Sequence, residues 1–523
     1  MSASTTTREY GESGRSGKSG KSGKSGPVTP SRKIRDKLSH PVIDTDGHLL
    51  EVTEVYLDYI REAGGADMVE RYLRVPSMHA FHSNNGMYFG GVGPAKRLTL
   101  EDRRKSWSHA PGFWTLPTGN TLDRATGMLP SLMSARLDDM GIDVSILFPT
   151  QGLQAQSIVE DDLRLCVTRA LNRYYADLLG PYADRLLPVA LIPMNTPQEA
   201  IAELEHAVKT LGYRAVVMQA WASRPIEQMA SRYPELKDHF QRPDLFALDS
   251  AYDYDPVWAK CVELGVAPTF HGIGTGPGVG RRGSISTHMF NNSVIGGFAA
   301  SAQDICGAIL FGGVTRRFPT LNFGFMEGGS AWAIGLLSRL VERWEKRNGH
   351  AMREMLDPAV LNREMLRALM LKHGDARTVK ATDAFMSAVS KTIPEPDRID
   401  DFDAIGMQTE EDAGARFIDR FYFGCEADDP TVGLAFHSNA LPLGRPLNAI
   451  LGSDISHWDV TDMTTVVAEA WHAVERGGMT ESDFRDFVFC NPVRLHAGMN
   501  RNFFKSTRAE AAVEKLLTGN AGR

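Results

Sequence analysis

The segment VIDTDGH (42–48) ends an apolar run with alternating side chains of metal-binding type. Side chains two residues apart on a strand point to the same face, so Asp44, Asp46 and His48 should project together. Two carboxylates and an imidazole suit a divalent cation and would be poorly satisfied at the end of a buried strand without one. Asp44 lies one pleat deeper, so we expect it to support the ligands from behind.

Three later apolar runs end in the same way, which strengthens the signal of the first. His271 ends VAPTFH, Glu327 ends LNFGFME and Asp454 ends AILGSD. We predict that His271 is a metal ligand. A carboxylate that directly follows a buried run is costly unless it meets an ion or an arginine or is protonated, so Glu327 is predicted to be a metal ligand or general base, with a structural ion pair as the alternative.

Asp454 is predicted to touch the same ion and to carry a proton from bound water, because a metal ion can lower the pKa of water to about 7. The alternative is that Asp454 caps the following helix. His457 and His288 (in SISTHMFNN) are further catalytic candidates. Each could bind a second ion, hold substrate or act as an acid or base, and each could equally be an ordinary loop histidine.

Short apolar runs alternate with amphipathic helical patterns along the chain, which is typical of successive β-α units in a parallel sheet. Eightfold alternation predicts an α/β fold, a (β/α)₈ barrel with inserted helical segments, whose chemistry lies at the carboxyl ends of the strands. Helices are predicted at 197–212, 255–265 and 330–346. The eight predicted strands are 42–48, 144–149, 186–193, 214–219, 266–271, 321–327, 420–425 and 449–454.

The barrel is expected to occupy residues 41–500, with insertions at 52–140 and 348–415. We expect the insertions to form a cap, a dimer contact or both, so a homodimer is predicted. Residues 1–32 are rich in Ser, Gly and Lys and cannot bury enough apolar surface to become ordered. Residues 501–523 read as a polar C-terminal tail.

Composition excludes several classes of function. The chain has 523 residues, 42% of them hydrophobic, and a net charge of -7, so no general basic surface favours nucleic acid. Five scattered cysteines without CxxC spacing indicate reduced core thiols. No run approaches the roughly 18 to 20 apolar residues of a membrane span. We therefore expect a cytoplasmic protein that acts on a small molecule, with no membrane partner.

Five ordered elements together resemble the amidohydrolase-related superfamily of metal-dependent barrel enzymes, over about residues 41–500. They are the Asp46-x-His48 opening, the strand-five His271, FGGVTRRFPTLNFGFMEGG (311–329), GSD (452–454) and NPVRL (491–495), with RLDDMGIDVSILFPT (136–150) in support.

The resemblance implies that one divalent ion is held by Asp46, His48, His271 and Asp454. Two positions depart from the family pattern. Asp46 stands where many members have His, and Glu327 stands where its decarboxylases have His. Oxygen donors in place of imidazoles favour manganese or iron over zinc alone. The fourth strand ends in Gln219 and lacks the Lys that some relatives carbamylate, which argues against a carbamate-bridged pair of zinc ions.

The resemblance implies a metal-dependent hydrolase acting on a small carboxylated or amide-bearing molecule through metal-activated water. Two alternatives stay open: a non-oxidative decarboxylase, and an oxygenase with a dinuclear iron or manganese-iron site. The cofactor is accordingly a divalent Zn, Mn or Fe ion, one per chain for hydrolysis and two for oxygenation. A barrel kept only as a subunit partner, without activity, is a fourth interpretation.

Overall fold

The computed structural model describes residues 28–75, 99–106, 119–237, 240–271 and 297–519. Within these ranges eight parallel strands form a nearly closed barrel and follow one another around it in chain order, which confirms the predicted (β/α)₈ architecture. The ten strands are β1 (Ile43–Leu49), β2 (Val144–Pro149), β3 (Leu186–Ile192), β4 (Ala215–Met218), β5 (Ala222–Pro225), β6 (Gln241–Asp244), β7 (Pro268–Phe270), β8 (Phe323–Phe325), β9 (Phe421–Glu426) and β10 (Asn448–Gly452).

All eight predicted strands are barrel strands. Parallel strands covered on both faces read as continuous apolar runs, and β2 is buried at all six of its positions. The barrel closes between β10 and β1, where the Asp454 N–H donates to the Asp46 carbonyl at 2.9 Å and the His48 N–H donates to the Ile455 carbonyl at 3.1 Å. Closure therefore sets the two predicted ligand-bearing ends, 46–48 and 454, side by side.

A separate antiparallel hairpin, β5 with β6, follows β4 and was not predicted. Its second strand, QRPD, is polar and lacks the apolar signature of a barrel strand. The hairpin is instead held by long-range contacts, since the Arg224 guanidinium pairs with the buried Asp244 carboxylate at 3.0 Å.

Helices cover the outside of the barrel, and their ends carry ordinary helix-capping residues. The helix predicted at 197–212 starts with a Thr196 side-chain cap on the Glu199 N–H, and the one at 255–265 ends at Gly265 in the left-handed region. The helices are α1 (Pro30–Arg35), α2 (Thr53–Arg74), α3 (Leu100–Ser106), α4 (Thr121–Thr126), α5 (Pro130–Met140), α6 (Asp161–Leu179), α7 (Pro197–Glu205), α8 (Glu227–Arg232), α9 (Asp255–Leu264), α10 (Gly297–Phe311), α11 (Val314–Arg317), α12 (Ala331–Arg347), α13 (Gly349–Met355), α14 (Arg363–His373), α15 (Ala376–Ala388), α16 (Val466–Glu475), α17 (Glu481–Arg485), α18 (Asn491–Ala497) and α19 (Glu510–Gly519).

Both predicted tails are shorter than the sequence pattern indicated. The end of the predicted N-terminal tail forms α1, where Ser31 is fully buried and its hydroxyl accepts the Val467 N–H at 3.0 Å. In the predicted C-terminal tail, Phe503 and Phe504 are each 1% exposed and are followed by α19. A buried hydroxyl at the N-terminal end and two buried phenylalanines at the C-terminal end thus anchor these segments. Residues 1–27 lie outside the described ranges.

The cysteines agree with the reduced core thiols expected from composition. All five cysteine thiols are free, and four of them are buried. Among the described residues, no helix combines the length and apolar character that crossing a membrane requires.

Candidate metal centre

Five of the predicted site residues meet at the carboxyl ends of the barrel strands. Asp46 and His48 lie on β1, and the other three each follow a different strand. The shared edge of the barrel brings them together although they span more than 400 positions of sequence. The five side chains are Asp46, His48, His271, Glu327 and Asp454.

Their donor atoms face one another at distances that suit shared ligation of one ion. His48 Nε2 lies 3.1 Å from His271 Nε2 and 3.5 Å from Asp454 Oδ1. His271 Nε2 in turn lies 3.3 Å from Asp46 Oδ1 and 3.4 Å from Glu327 Oε2. Ligands held about 2.1 Å from a common ion are separated by distances of this size. The geometry therefore brings these carboxylate oxygens and imidazole nitrogens together in two overlapping groups that share His48.

The close polar neighbours of the three carboxylate oxygens are imidazole nitrogens, as for Asp454 Oδ1 at 2.6 Å from His457 Nδ1. Asp46 Oδ1, Glu327 Oε2 and Asp454 Oδ1 are buried and make no hydrogen bond within the described part of the chain. Buried carboxylates that face one another without donors are costly, and a cation between them removes that cost. The residues present thus fit a divalent metal ion.

Burial and charge shift the pKa values of these carboxyl groups in opposite directions. Burial, followed by repulsion from other carboxylates, raises the pKa of Glu327 and of Asp454 well above the ordinary range. Burial also acts to raise the pKa of Asp46, but His271 and His48 outweigh it and hold that pKa low. Burial lowers the pKa of His48 to about 3, so its imidazole is neutral and able to bind a cation.

Two ligand-bearing residues adopt backbone conformations that side chains rarely take. Glu327 has φ 56° and Asp454 has φ 49°, both in the left-handed region. Such conformations cost about 1–3 kcal/mol each and persist where the surrounding structure enforces them, most often at functional sites. Glu327 and Asp454 each stand two residues after the end of a barrel strand, β8 and β10, and both belong to the candidate metal cluster.

His457 lies beside this cluster, whereas His288 falls outside the described residues. His457 Nδ1 is 2.6 Å from Asp454 Oδ1, and its ring stacks on His48 with 3.9 Å between the centroids. Burial lowers the pKa of His457. Its imidazole therefore contacts a carboxylate of the centre directly and can exchange a proton with it.

Asp44 supports the strand ends that carry the candidate ligands through hydrogen bonds. Its carboxylate accepts the Asp46 N–H at 3.2 Å, the Ser453 N–H at 2.9 Å and the Ser145 hydroxyl at 2.5 Å. It thereby joins β1, β2 and β10 one layer beneath the centre. This arrangement is consistent with the supporting role expected of Asp44, while Ser145 and Ser453 were not identified from sequence.

Gly452 leaves the space that Asp46 occupies, because a Cβ on Gly452 would lie 2.8 Å from the Asp46 Cβ. We expect Gly452→Ala to displace Asp46 and to weaken metal affinity by about 10- to 100-fold, the usual effect of disturbing a ligand's support. Competition between a chromogenic chelator and the protein for manganese measures this. Gly307→Ala, where nothing lies within 4 Å of the added carbon, is the matched control and should bind as wild type does. Equal affinity in both variants would contradict the steric argument.

Sequence analysis also missed Glu51, a fully buried carboxylate beyond β1. It accepts N–H groups from Thr150, Gln151 and Gly152 at 2.9–3.2 Å and the Tyr175 hydroxyl at 3.0 Å. The Thr150 hydroxyl lies 3.4 Å from His48 Nδ1. Glu51 thus fixes the loop after β2 against the back of His48. The sequence signal that could have identified Glu51 is its position directly after the apolar residues Leu49 and Leu50.

We expect Glu51→Gln to lower the free energy of unfolding by about 1–3 kcal/mol, because an amide nitrogen would then face backbone donors. Urea denaturation followed by fluorescence measures the change. Glu54→Gln, at an exposed position on α2, should leave stability within about 0.5 kcal/mol of wild type. A loss of similar size in both variants would show that the loop contacts of Glu51 do not stabilise the fold.

The chain is similar to several known proteins. A family model described as amidohydrolase matches residues 43–440. Among solved structures, an amidohydrolase from Mycobacterium avium subsp. paratuberculosis K-10 is 17% identical, with 88% of this chain and 99% of that chain covered and a TM-score of 0.47. The 2,6-dihydroxybenzoate decarboxylase from Rhizobium is 14% identical (87% and 98% covered, TM-score 0.45). A manganese-bound dihydroxybenzoic acid decarboxylase from Polaromonas sp. JS666 is 16% identical (90% and 98% covered, TM-score 0.44).

Proposed function

Because the chain belongs to the amidohydrolase family, we propose that it is a metal-dependent hydrolase that cleaves an amide bond in a small molecule with water activated on one divalent ion. One observation carries this proposal. Three buried carboxylate oxygens without hydrogen-bond partners surround two imidazole nitrogens at the mouth of the barrel. Such a constellation binds a cation and leaves the open side of the barrel for a substrate.

The single ion of this proposal takes His48 as the ligand common to both groups of candidate residues. The candidate ligands form two overlapping groups, Asp46–His48–His271 and His48–Glu327–Asp454–His457, with His48 in both. Imidazole Nε2 has one lone pair and cannot bind two ions at once. Assigned to the first group, His48 leaves Glu327, Asp454 and His457 as candidate ligands of a second ion, so the dinuclear oxygenase is the alternative that a metal count tests. The oxygen-rich donor set favours manganese or iron over zinc.

A divalent ion held by these residues would lower the pKa of a bound water to about 7 and polarise the amide carbonyl. Asp454 is the proposed base, because Oδ1 faces the centre and also lies 2.6 Å from His457 Nδ1. Asp454 accepts the proton of the attacking water, and the Asp454–His457 pair returns a proton to the departing amine nitrogen. Phe148, with its ring centroid 5.2 Å from that of His271, covers one side of the centre and keeps its polarity low.

The charge around the centre favours an amide over a carboxylate as the reacting group. If all three were ionised by binding a divalent ion, Asp46, Glu327 and Asp454 together would exceed its charge by one. Glu426 and Asp459 lie near enough to add to the repulsion at Asp454. An anionic substrate would meet further like charge, whereas a neutral amide would not. Non-oxidative decarboxylation needs the centre to hold a carboxylate, so this charge argument favours the hydrolase and leaves decarboxylation as the second candidate function.

The test starts with elemental analysis of protein purified without added metal, for which we expect one manganese or iron ion per chain. The metal-loaded enzyme is then incubated with a panel of small cyclic and aromatic amides and, separately, with aromatic carboxylates. Mass spectrometry should detect hydrolysis of an amide, lost with a chelator and restored by manganese. Carbon dioxide release from the carboxylates would overturn the proposal in favour of a lyase. Two redox metals per chain with oxygen-dependent product would overturn it in favour of an oxygenase.

A further inference from the structure

The glutamine that follows β4 faces the same side of the barrel as a candidate metal ligand. β4 and β7 are parallel neighbours, and Met218 is paired with Phe270 at their carboxyl ends. Gln219 and His271 each directly follow this pair, so their side chains point to the same face from strands about 4.8 Å apart. His271 belongs to the candidate metal centre. The Gln219 carboxamide therefore lies at the barrel mouth beside that centre.

Gln219 forms an amide pair with Asn195, which follows β3. Gln219 Nε2 donates to Asn195 Oδ1 at 3.1 Å, and Gln219 is only 5% exposed. Within the described part of the chain, this is the hydrogen bond that the structure shows for these two side chains. Whichever amide donates to the other, the pair keeps one carbonyl oxygen and further N–H groups for another partner. It therefore offers an acceptor and a donor side by side.

The β5–β6 hairpin holds the backbone that carries this amide pair. The Arg224 guanidinium donates to the Asn195 carbonyl at 2.7 Å and to the buried Asp244 carboxylate at 3.0 Å. It also donates at 3.1 Å to the Tyr254 hydroxyl, which in turn donates to the Met194 carbonyl at 2.6 Å. A group that orients a substrate must itself be held in place by its surroundings. The hairpin, which adds no strand to the barrel, supplies that support.

The strand ends around the amide pair are uncharged, whereas those on the other part of the barrel mouth are acidic. The first three residues after β2, β3 and β4 are TQG, PMN and QAW, without a charged side chain. β9 ends in a carboxylate, and β8 and β10 are each followed by one two residues on. A substrate group beside the pair therefore meets neutral donors and acceptors. The carboxylates are Glu426, Glu327 and Asp454.

We propose that Asn195 and Gln219 bind a neutral carboxamide group of the substrate and select it over a carboxylate. This inference rests on the proposed amide hydrolysis and names residues that determine its specificity. The free carbonyl of the pair accepts an N–H of the substrate, and an N–H of the pair donates to the substrate carbonyl. A carboxylate has acceptors alone, so the carbonyl of the pair would face an oxygen and lose its partner.

Isothermal titration calorimetry of the manganese-loaded full chain with benzamide and, separately, with benzoate tests the assignment. Gln219→Leu keeps most of the side-chain volume and removes its polar atoms. It should weaken benzamide binding by about tenfold or more and change benzoate binding by less than about threefold. Gln198→Leu, at an exposed position on α7, is the matched control and should bind both probes as wild type does. A wild type that does not bind benzamide, or equal changes for both probes in Gln219→Leu, overturns the proposal.

Asn195→Ala removes the other half of the pair at a half-buried position and should weaken benzamide binding in the same selective way. Both variants should keep the metal content of wild type, because neither residue belongs to the candidate ligand groups. The titration does not depend on turnover. A wild type that shows the expected probe binding but hydrolyses no amide overturns the proposed function alone. Variants that lose amide hydrolysis with unchanged benzamide binding overturn the assignment of the pair alone.

Discussion

The His48→Ala protein is expected to fold and to purify with less than about a tenth of the metal found in wild type, measured by elemental analysis under identical conditions. His48 Nε2 lies 3.1 Å from His271 Nε2 and within 3.6 Å of both Asp46 Oδ1 and Asp454 Oδ1, so it stands at the middle of the donor set. Removing it leaves an oxygen-rich cluster without a central ligand. Loss of one of few protein ligands at a structured site typically removes most of the affinity.

The same variant distinguishes a centre that binds one metal ion from a centre that binds two. If both candidate groups shared a single ion through His48, its removal would empty the centre. If two ions were bound independently, the variant would keep about half of the metal, and a retained half would refute the single-ion site. His472→Ala, an exposed histidine on α16, is the matched control and should retain full occupancy. A thermal melt of both variants with and without added manganese shows whether metal stabilises the fold, as mass action requires.

The barrel could be predicted from the sequence because its signals are local. Each strand is a short apolar run, and each predicted ligand follows such a run directly, as His271 follows VAPTFH. Parallel topology then places all strand ends at one edge, so residues as distant as Asp46 and Asp454 become neighbours without any knowledge of side-chain positions.

The features that escaped prediction depend on contacts that no local pattern encodes. Glu51 is positioned by three N–H groups about one hundred residues away, and the β5–β6 hairpin by the Arg224–Asp244 pair. The left-handed backbone at Glu327 and Asp454 is equally invisible in sequence, since neither is a glycine. Residues 30–32, the start of α1, were assigned to the tail because the segment is polar, yet the Ser31 hydroxyl accepts the Val467 N–H of a distant helix.

Asp454→Asn is expected to lower kcat for amide hydrolysis by about 10³-fold at saturating manganese, while the protein remains folded. The loss falls in the range that removal of a general base produces. An asparagine can still offer a carbonyl oxygen to an ion but cannot accept a proton, so activity should fall more than metal occupancy does. The change should lie in kcat and in kcat/KM together, because the lost interaction acts on proton transfer in the transition state.

Asp459→Asn is the matched control for that variant, because it removes a nearby negative charge at an exposed position five residues on. If the rate depended only on the negative charge near the centre, Asp454→Asn and Asp459→Asn would lower kcat to a similar extent. If direct proton transfer at Asp454 governs it, Asp459→Asn should change kcat by less than about threefold, which corresponds to under roughly 1 kcal/mol of activation free energy. A kcat within tenfold of wild type for Asp454→Asn would instead transfer the role of base to Glu327, the other buried carboxylate with a raised pKa at the centre.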